Sequence, residues 1–258
     1  MLRILCLIKN FLINIITAVI PCSRIRRRTK EKLRNFKLKN LFINKTKYDF
    51  VFSMGEACFV ATVLTNIHIR KASGPFDWMS MSTFKKRFEI FINKFDKYFE
   101  EQDLEYIGID KNNNRSVFLN KYTDISYNHD FTRKELFHEE YKVVREKYER
   151  RISRLFNYIN KGKKILVVYV ERRNSETTDK NTIIKLLNKA NEVYDNKIDL
   201  LYVKSNKQIK IGDSKIKRID NHLRIAEYTG ESRNAGISIK ERQLIDNSLK
   251  DILVFVRI

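Results

Sequence analysis

The sequence predicts a mixed α+β domain, or an α/β one, preceded by a basic amphipathic helix, and three observations lead there. Short β-rich runs, of which 164–170 is the strongest, alternate with stretches whose apolar residues recur at helical spacing. Hydrophobic residues make up 43% of the 258, with only 7 Gly and 2 Pro, so the chain can build a sizeable core and offers no linker to divide it. The charge is lopsided: residues 1–47 hold 13 Lys or Arg against one acid, Glu31, supplying +12 of the net +21. The expected organisation is a basic segment over 1–47 and a folded domain over 48–258.

The N-terminal segment comes first. Ile4 to Ile20 is apolar apart from Lys9, Asn10, Asn14 and Thr17, and Arg3, Asn10, Asn14 and Thr17 share one helix face. Arg24, Arg26, Arg27, Arg28, Lys30 and Lys32 follow closely. This pattern predicts a helix lying in a membrane interface, with residues 1–34 on anionic headgroups. A transmembrane span and a core helix are the alternatives. The basic flank on the C-terminal side predicts a cytoplasmic domain at the inner face of the membrane. Val19-Ile20-Pro21-Cys22 lacks the small-residue pair of a cleaved secretory signal. Charge massed beside a greasy run, rather than spread over a face with aromatics, argues against a nucleic-acid partner. Three cysteines, Cys6, Cys22 and Cys58, allow at most one intramolecular disulfide and fit a reducing compartment.

Within the domain, 48–53 reads as a buried strand ending near Gly55, and 56–69 as a helix with Cys58 in its first turn. Ser73-Gly74-Pro75-Phe76-Asp77-Trp78 is a turn holding the only tryptophan. A helix over 84–99 lines up Phe84, Phe88, Phe91, Ile92, Phe95 and Phe99 as a core stripe. Short strands follow at 104–109, 116–119 and 124–127, the first two joined by the turn-forming Asn112-Asn113-Asn114. Thr132 with Glu135 reads as a capping box opening a helix that runs to about Asn160. Then come a strand at 164–170, a helix at 181–194, strands at 197–203, 208–211 and 216–219, a helix at 239–250 and a last strand at 252–256.

The address of Cys58 carries chemistry. A thiol in the first turn of a helix feels the positive end of the helix dipole, which lowers its pKa, and first-turn N–H groups are placed to receive an oxyanion. A plain buried cysteine is the bland alternative. Of the four histidines, His129 closes a predicted strand and suits a partner base, His68 stands ten residues along the same helix, and His138 and His222 read as solvated. No metal site is expected, because no two Cys or His fall closer than nine residues, and no cofactor is expected, because no phosphate loop follows Gly55. Arg150, Arg151 and Arg154 could hold a substrate carboxylate or phosphate, or pair with Glu146 and Glu149.

Ser53-Met54-Gly55-Glu56-Ala57-Cys58, Pro75-Phe76-Asp77-Trp78 and Asn128-His129-Asp130-Phe131, in that order, resemble a bacterial family described as papain-like cysteine peptidases. The resemblance runs from about Asp49 to Arg151 and more loosely to Arg172. It implies a papain-like fold with the nucleophile at a helix N-terminus, Cys58 as nucleophile and His129 as general base. Ser53, Gly55 and Glu56 then frame the oxyanion, and Trp78, Arg151 and Arg154 are candidate substrate contacts. Papain-like proteases carry an oxyanion glutamine six residues before the cysteine, and Phe52 stands there instead. For the third triad position Glu171, Asp77 and Asp130 compete, with Glu171 fitting the chain order best and Asp77 able simply to close its turn. The expected function is a thiol hydrolase of peptide, amide or glycan-linked acyl groups, with an acyltransferase of cell-envelope glycan biosynthesis or a silent binding scaffold as alternatives.

Overall fold

A computed structural model describes residues 14–23, 25–26, 29, 46–55, 59–171, 177–206, 208–229 and 239–257. Contacts divide the chain into two units, 1–45 and 46–258. In the first, residues 14–18 are helical, and Arg26 donates from Nε and Nη2 to the Ile20 carbonyl at 2.9 and 2.7 Å. Much of the expected helix over 4–20, and Arg24, Arg27, Arg28, Lys30 and Lys32, lie outside the described residues. No described helix is long and apolar enough to cross a membrane.

The second unit opens with β1 (Thr46–Lys47), β2 (Phe50–Ser53) and α1 (Phe59–Asn66), followed by β3 (Ser80–Met81) and α2 (Phe84–Ile92). Then come β4 (Leu104–Asp110), β5 (Arg115–Asn120), β6 (Ile125–Phe131) and α3 (Phe137–Lys161). The last part runs β7 (Ile165–Val170), α4 (Lys180–Val193), β8 (Ile198–Ser205), β9 (Ser214–Arg218), β10 (Leu223–Tyr228), α5 (Ile239–Ile252) and β11 (Val256–Arg257). The architecture is α+β, built on a five-stranded mixed sheet ordered β2-β7-β8-β10-β9, in which only β9 is antiparallel to its neighbour. A four-stranded antiparallel sheet, β3-β6-β5-β4, and a parallel pair, β1-β11, complete it.

Burial explains the central strands. All six residues of β7 are buried, as an apolar run covered on both faces of a parallel sheet must be, and β8 buries its first six. Aromatic rings join the layers: Phe84 meets Tyr169 and Tyr202 edge-on, Phe91 packs on Phe52 and Tyr194, and Phe99 contacts Tyr127 and Tyr148.

Four sequence expectations need correction. The helix expected over 84–99 stops at Ile92: Lys94 takes a left-handed φ of 55°, its N–H bonds Phe91 O, and Phe95 N–H bonds Ile90 O, a Schellman closure made without glycine. Phe95 and Phe99 stay buried because the turns beyond keep facing the core. Thr132 does not cap the long helix. That helix starts at Phe137 with Leu136 as N-cap, while Thr132 donates from Oγ1 to Glu140 Oε1 and from its N–H to Oε2. Residues 208–211 form turns, since Asn206 Oδ1 accepts the Gln208 N–H and begins a tight bend. At the C-terminus the helix continues to Ile252 and a single 3₁₀ turn follows, leaving only Val256–Arg257 as strand.

Candidate active site

Parallel strands deliver their carboxyl ends to one edge of the sheet. There Ser53 ends β2 and Glu171 follows β7, with Met54 N–H bonded to Val168 O. Gly55 lies against this edge so closely that a Cβ would come within 3.4 Å of Val170 N and 2.7 Å of Val60 Cγ2, which is why no larger residue fits without displacement. Its N–H bonds Ser53 Oγ at 3.4 Å. The segment that leaves this point, Glu56 to Cys58, lies outside the described residues, and α1 is described from Phe59.

A buried cation holds the spot. Arg87, with no exposed surface, donates from Nη1 to Gly55 O and from Nη2 to Met81 O, both at 2.8 Å, and its guanidinium lies 5.6 Å from the Phe76 ring. Met81 belongs to β3, so this side chain pins the motif glycine of one sheet to the edge strand of the other. In the sequence Arg87 carries no mark of this role, because an arginine among phenylalanines on a helix gives no sign that it will be the residue turned inward. Phe52, at the position of the papain glutamine, is buried against Phe91 with ring centres 5.5 Å apart.

His129 sits near the end of β6, where the β5–β6 register shifts between Ser116 and Phe118, and it is exposed. Such irregularities re-aim side chains. Its Nδ1 lies 2.9 Å from Asn113 Nδ2 on the β4–β5 turn, and its carbonyl accepts from Arg115 Nη1 at 3.0 Å. Asn113 Oδ1 already accepts the Arg115 N–H at 3.0 Å, so the amide nitrogen faces the ring, and it shares its two hydrogens among Nδ1, Asp110 Oδ2 at 3.0 Å and Asn128 O at 3.2 Å. A neutral ring held this way carries its proton on Nε2; a proton-accepting Nε2 requires the Asn113 amide to turn over. The sequence context of Asn113 marks it as a turn residue and not as a histidine partner.

The three carboxylates proposed to orient His129 make bonds elsewhere. Asp130 takes the Lys147 ammonium and, at 2.5 Å, the Tyr148 hydroxyl, both on α3. Asp77 is buried, pairs with Arg70 at 2.5 Å and accepts the Gly74 N–H at 2.8 Å, closing the turn that holds Trp78. Burial outweighs the nearby Arg70 charge and pushes the Asp77 carboxyl above its ordinary range. Glu171, also buried, accepts from the Tyr202 hydroxyl, and desolvation together with that bond drives the Tyr202 phenol upward.

Trp78 is 37% exposed with a left-handed φ of 70°, and the Arg70 guanidinium lies 5.9 Å from its ring. Arg151 lies over the Tyr148 ring at 5.3 Å. The ion pair of Glu149 goes to Arg145, at 2.9 Å, which corrects the expected lattice with Arg150, Arg151 and Arg154; Arg145 also reaches Glu100 at 3.5 Å. Arg154 is half-buried on the same helix. His222, expected to be solvated, has its Nδ1 2.9 Å from the fully buried Asp199, which also accepts from Tyr48 at 2.8 Å. His138 is solvated, with Nδ1 2.7 Å from Glu101. Among the described residues no group of three His, Cys, Asp or Glu is arranged to hold a metal ion.

No curated protein and no solved structure matches this chain. A family profile described as "Putative papain-like cysteine peptidase" matches residues 49–204, more than half the chain. The matched region contains Gly55, Cys58, Asp77, His129 and Glu171, and leaves out Tyr48 and His222. The chain belongs to this family of papain-like cysteine peptidases.

Proposed function

We propose that the protein is a thiol hydrolase in which Cys58 is the nucleophile and His129 the general base. The Cys58 sulfur attacks an acyl carbon, the bond to the leaving nitrogen or oxygen breaks, and His129 returns the proton to the leaving group. Water then cleaves the thioester. Peptidase and amidase chemistry share these steps, and an acyltransferase differs only in the acceptor that replaces water. The observation that carries the reading is the family match across both residues, with Gly55 fixed at the carboxyl edge of the sheet three residues ahead of Cys58.

A second reading, a silent papain-like binding scaffold, draws on two observations. Phe52 is built into the core where the side-chain oxyanion donor would stand, and Asn113 holds His129 in the tautomer that cannot accept a proton at Nε2. Iodoacetamide alkylation of Cys58 against pH, in a Cys6→Ser/Cys22→Ser background, separates the two. The hydrolase should show a thiolate well below the ordinary thiol pKa of about 8.5, lost in His129→Ala. An unshifted thiol indifferent to His129 would leave the scaffold.

A further inference from the structure

We propose that residues 15–26 form a membrane-contacting surface that lies in the interface of an anionic bilayer, independently of the thiol chemistry. Residues 14–19 are exposed apart from Thr17, the large apolar side chains included. Thr17 is fully buried, whereas Ile15, Ile16, Val19 and Ile25 are 53%, 55%, 81% and 56% exposed. Ile15 and Ile16 lie in the helical residues 14–18, and Val19 follows them at four and three residues' distance in the turn that ends the helix, so its exposed surface adjoins theirs. Apolar surface gathered in this way marks a partner that removes it from water.

The neighbouring charge identifies that partner. The Arg26 fork closes on the Ile20 carbonyl, which satisfies a backbone acceptor at the end of the apolar stretch, as an interface poor in water demands, and fixes a cation beside it. Residues 1–47 carry +12. Apolar side chains flanked by arginines fit lipid tails bordered by anionic headgroups. A second copy of a chain at +21 would be repelled. Nucleic acid would leave the isoleucines uncovered, and residues 14–29 offer no aromatic ring for a base to stack on.

The test is flotation of the full chain with vesicles of phosphatidylcholine containing about one-third phosphatidylserine, and with phosphatidylcholine alone. Binding should be roughly tenfold or more weaker without the anionic lipid, weaken as salt is raised and be released by alkaline carbonate. Ile16→Asp/Val19→Asp should reduce it by roughly tenfold or more while thermal unfolding is unchanged. Ile25→Asp, beyond the helical turn, provides a second variant should the double one unfold. Equal binding to both vesicles, undiminished binding by a folded variant, or resistance to carbonate would overturn the proposal. So would an RNA fragment that displaces the vesicles and binds the variant equally well, or dimerisation that the same variant abolishes.

Discussion

Replacing Gly55 by alanine probes the packing that fixes the motif against the sheet. The added Cβ would lie 2.7 Å from Val60 Cγ2, 3.5 Å from Val60 Cβ and 3.4 Å from Val170 N. A relaxed carbon contact is about 3.5–4.0 Å, so the valine methyl must retreat by most of an ångström. Val60 is fully buried and its branched side chain has few rotamers to offer. Overpacking of this kind costs about 1–3 kcal/mol. Gly55 has no left-handed φ, so alanine also stiffens the unfolded chain and recovers about 0.4–1 kcal/mol. The net loss should be about 1–2 kcal/mol, or roughly 2–8 °C in Tm. Val60→Ala alone removes buried methyls at a cost of about 1–3 kcal/mol. In the double variant the clash disappears, so the two losses should fall short of additivity by about 1–2 kcal/mol. Urea unfolding of the four proteins measures this coupling. Additivity within about 0.3 kcal/mol would refute the steric account.

Three further outcomes follow from the geometry. Arg87→Leu should cost about 1–3 kcal/mol, because it strands the buried Gly55 carbonyl and frees the half-exposed Met81 carbonyl; a loss under about 0.5 kcal/mol in denaturant unfolding would show that Arg87 pins nothing. Asp77, with its carboxyl raised chiefly by burial, binds its proton more tightly folded than unfolded. Wild-type stability should therefore fall as pH rises from the ordinary carboxylate range through the higher folded pKa, and Asp77→Asn should flatten that slope; identical slopes by pH-dependent thermal unfolding would contradict it. Histidine nitrogen NMR at mildly alkaline pH should find His129 with its proton on Nε2, and His222 and His138 with theirs on Nδ1, facing Asp199 and Glu101; a Nδ1 proton on His129 would refute the orientation derived for Asn113.

How far the sequence could be read depended on whether each signal was local. The β7 strand, expected over 164–170 and found at Ile165–Val170, declares itself through six successive apolar residues. The helix after Asp179 was equally legible, and its start is capped by the Asp179 carboxylate on the Asn181 and Thr182 N–H groups. Thr132 misled because a real cap-like exchange exists there, but its partner is Glu140 rather than Glu135, a choice made by the 3₁₀ turn Lys134–Leu136 between them. The stripe from Phe84 to Phe99 named the core residues correctly and the backbone wrongly, since burial can be kept through successive left-handed turns at Lys94, Phe95 and Lys97. In the candidate site, the Gly55 motif and His129 were visible as chain patterns. Their supports, Arg87 and Asn113, come from α2 and a distant hairpin, and such contacts leave no periodic trace.

The position of β2 in its sheet bears on the order in which the molecule assembles. Phe50 pairs with Ile165, 165 − 50 = 115 residues away, whereas Ile165 pairs with Ile198 across only 198 − 165 = 33. Closing the longer loop costs about 4 kcal/mol of chain entropy against about 3 for the shorter one, and it cannot occur during synthesis until β7 has emerged. β2 is also an edge strand of four residues with a single hydrogen-bonded neighbour in its sheet. The strand that presents Gly55 is therefore a late arrival in folding and an early departure in partial unfolding. Its amides should exchange with solvent deuterium ahead of those of β7 and β8.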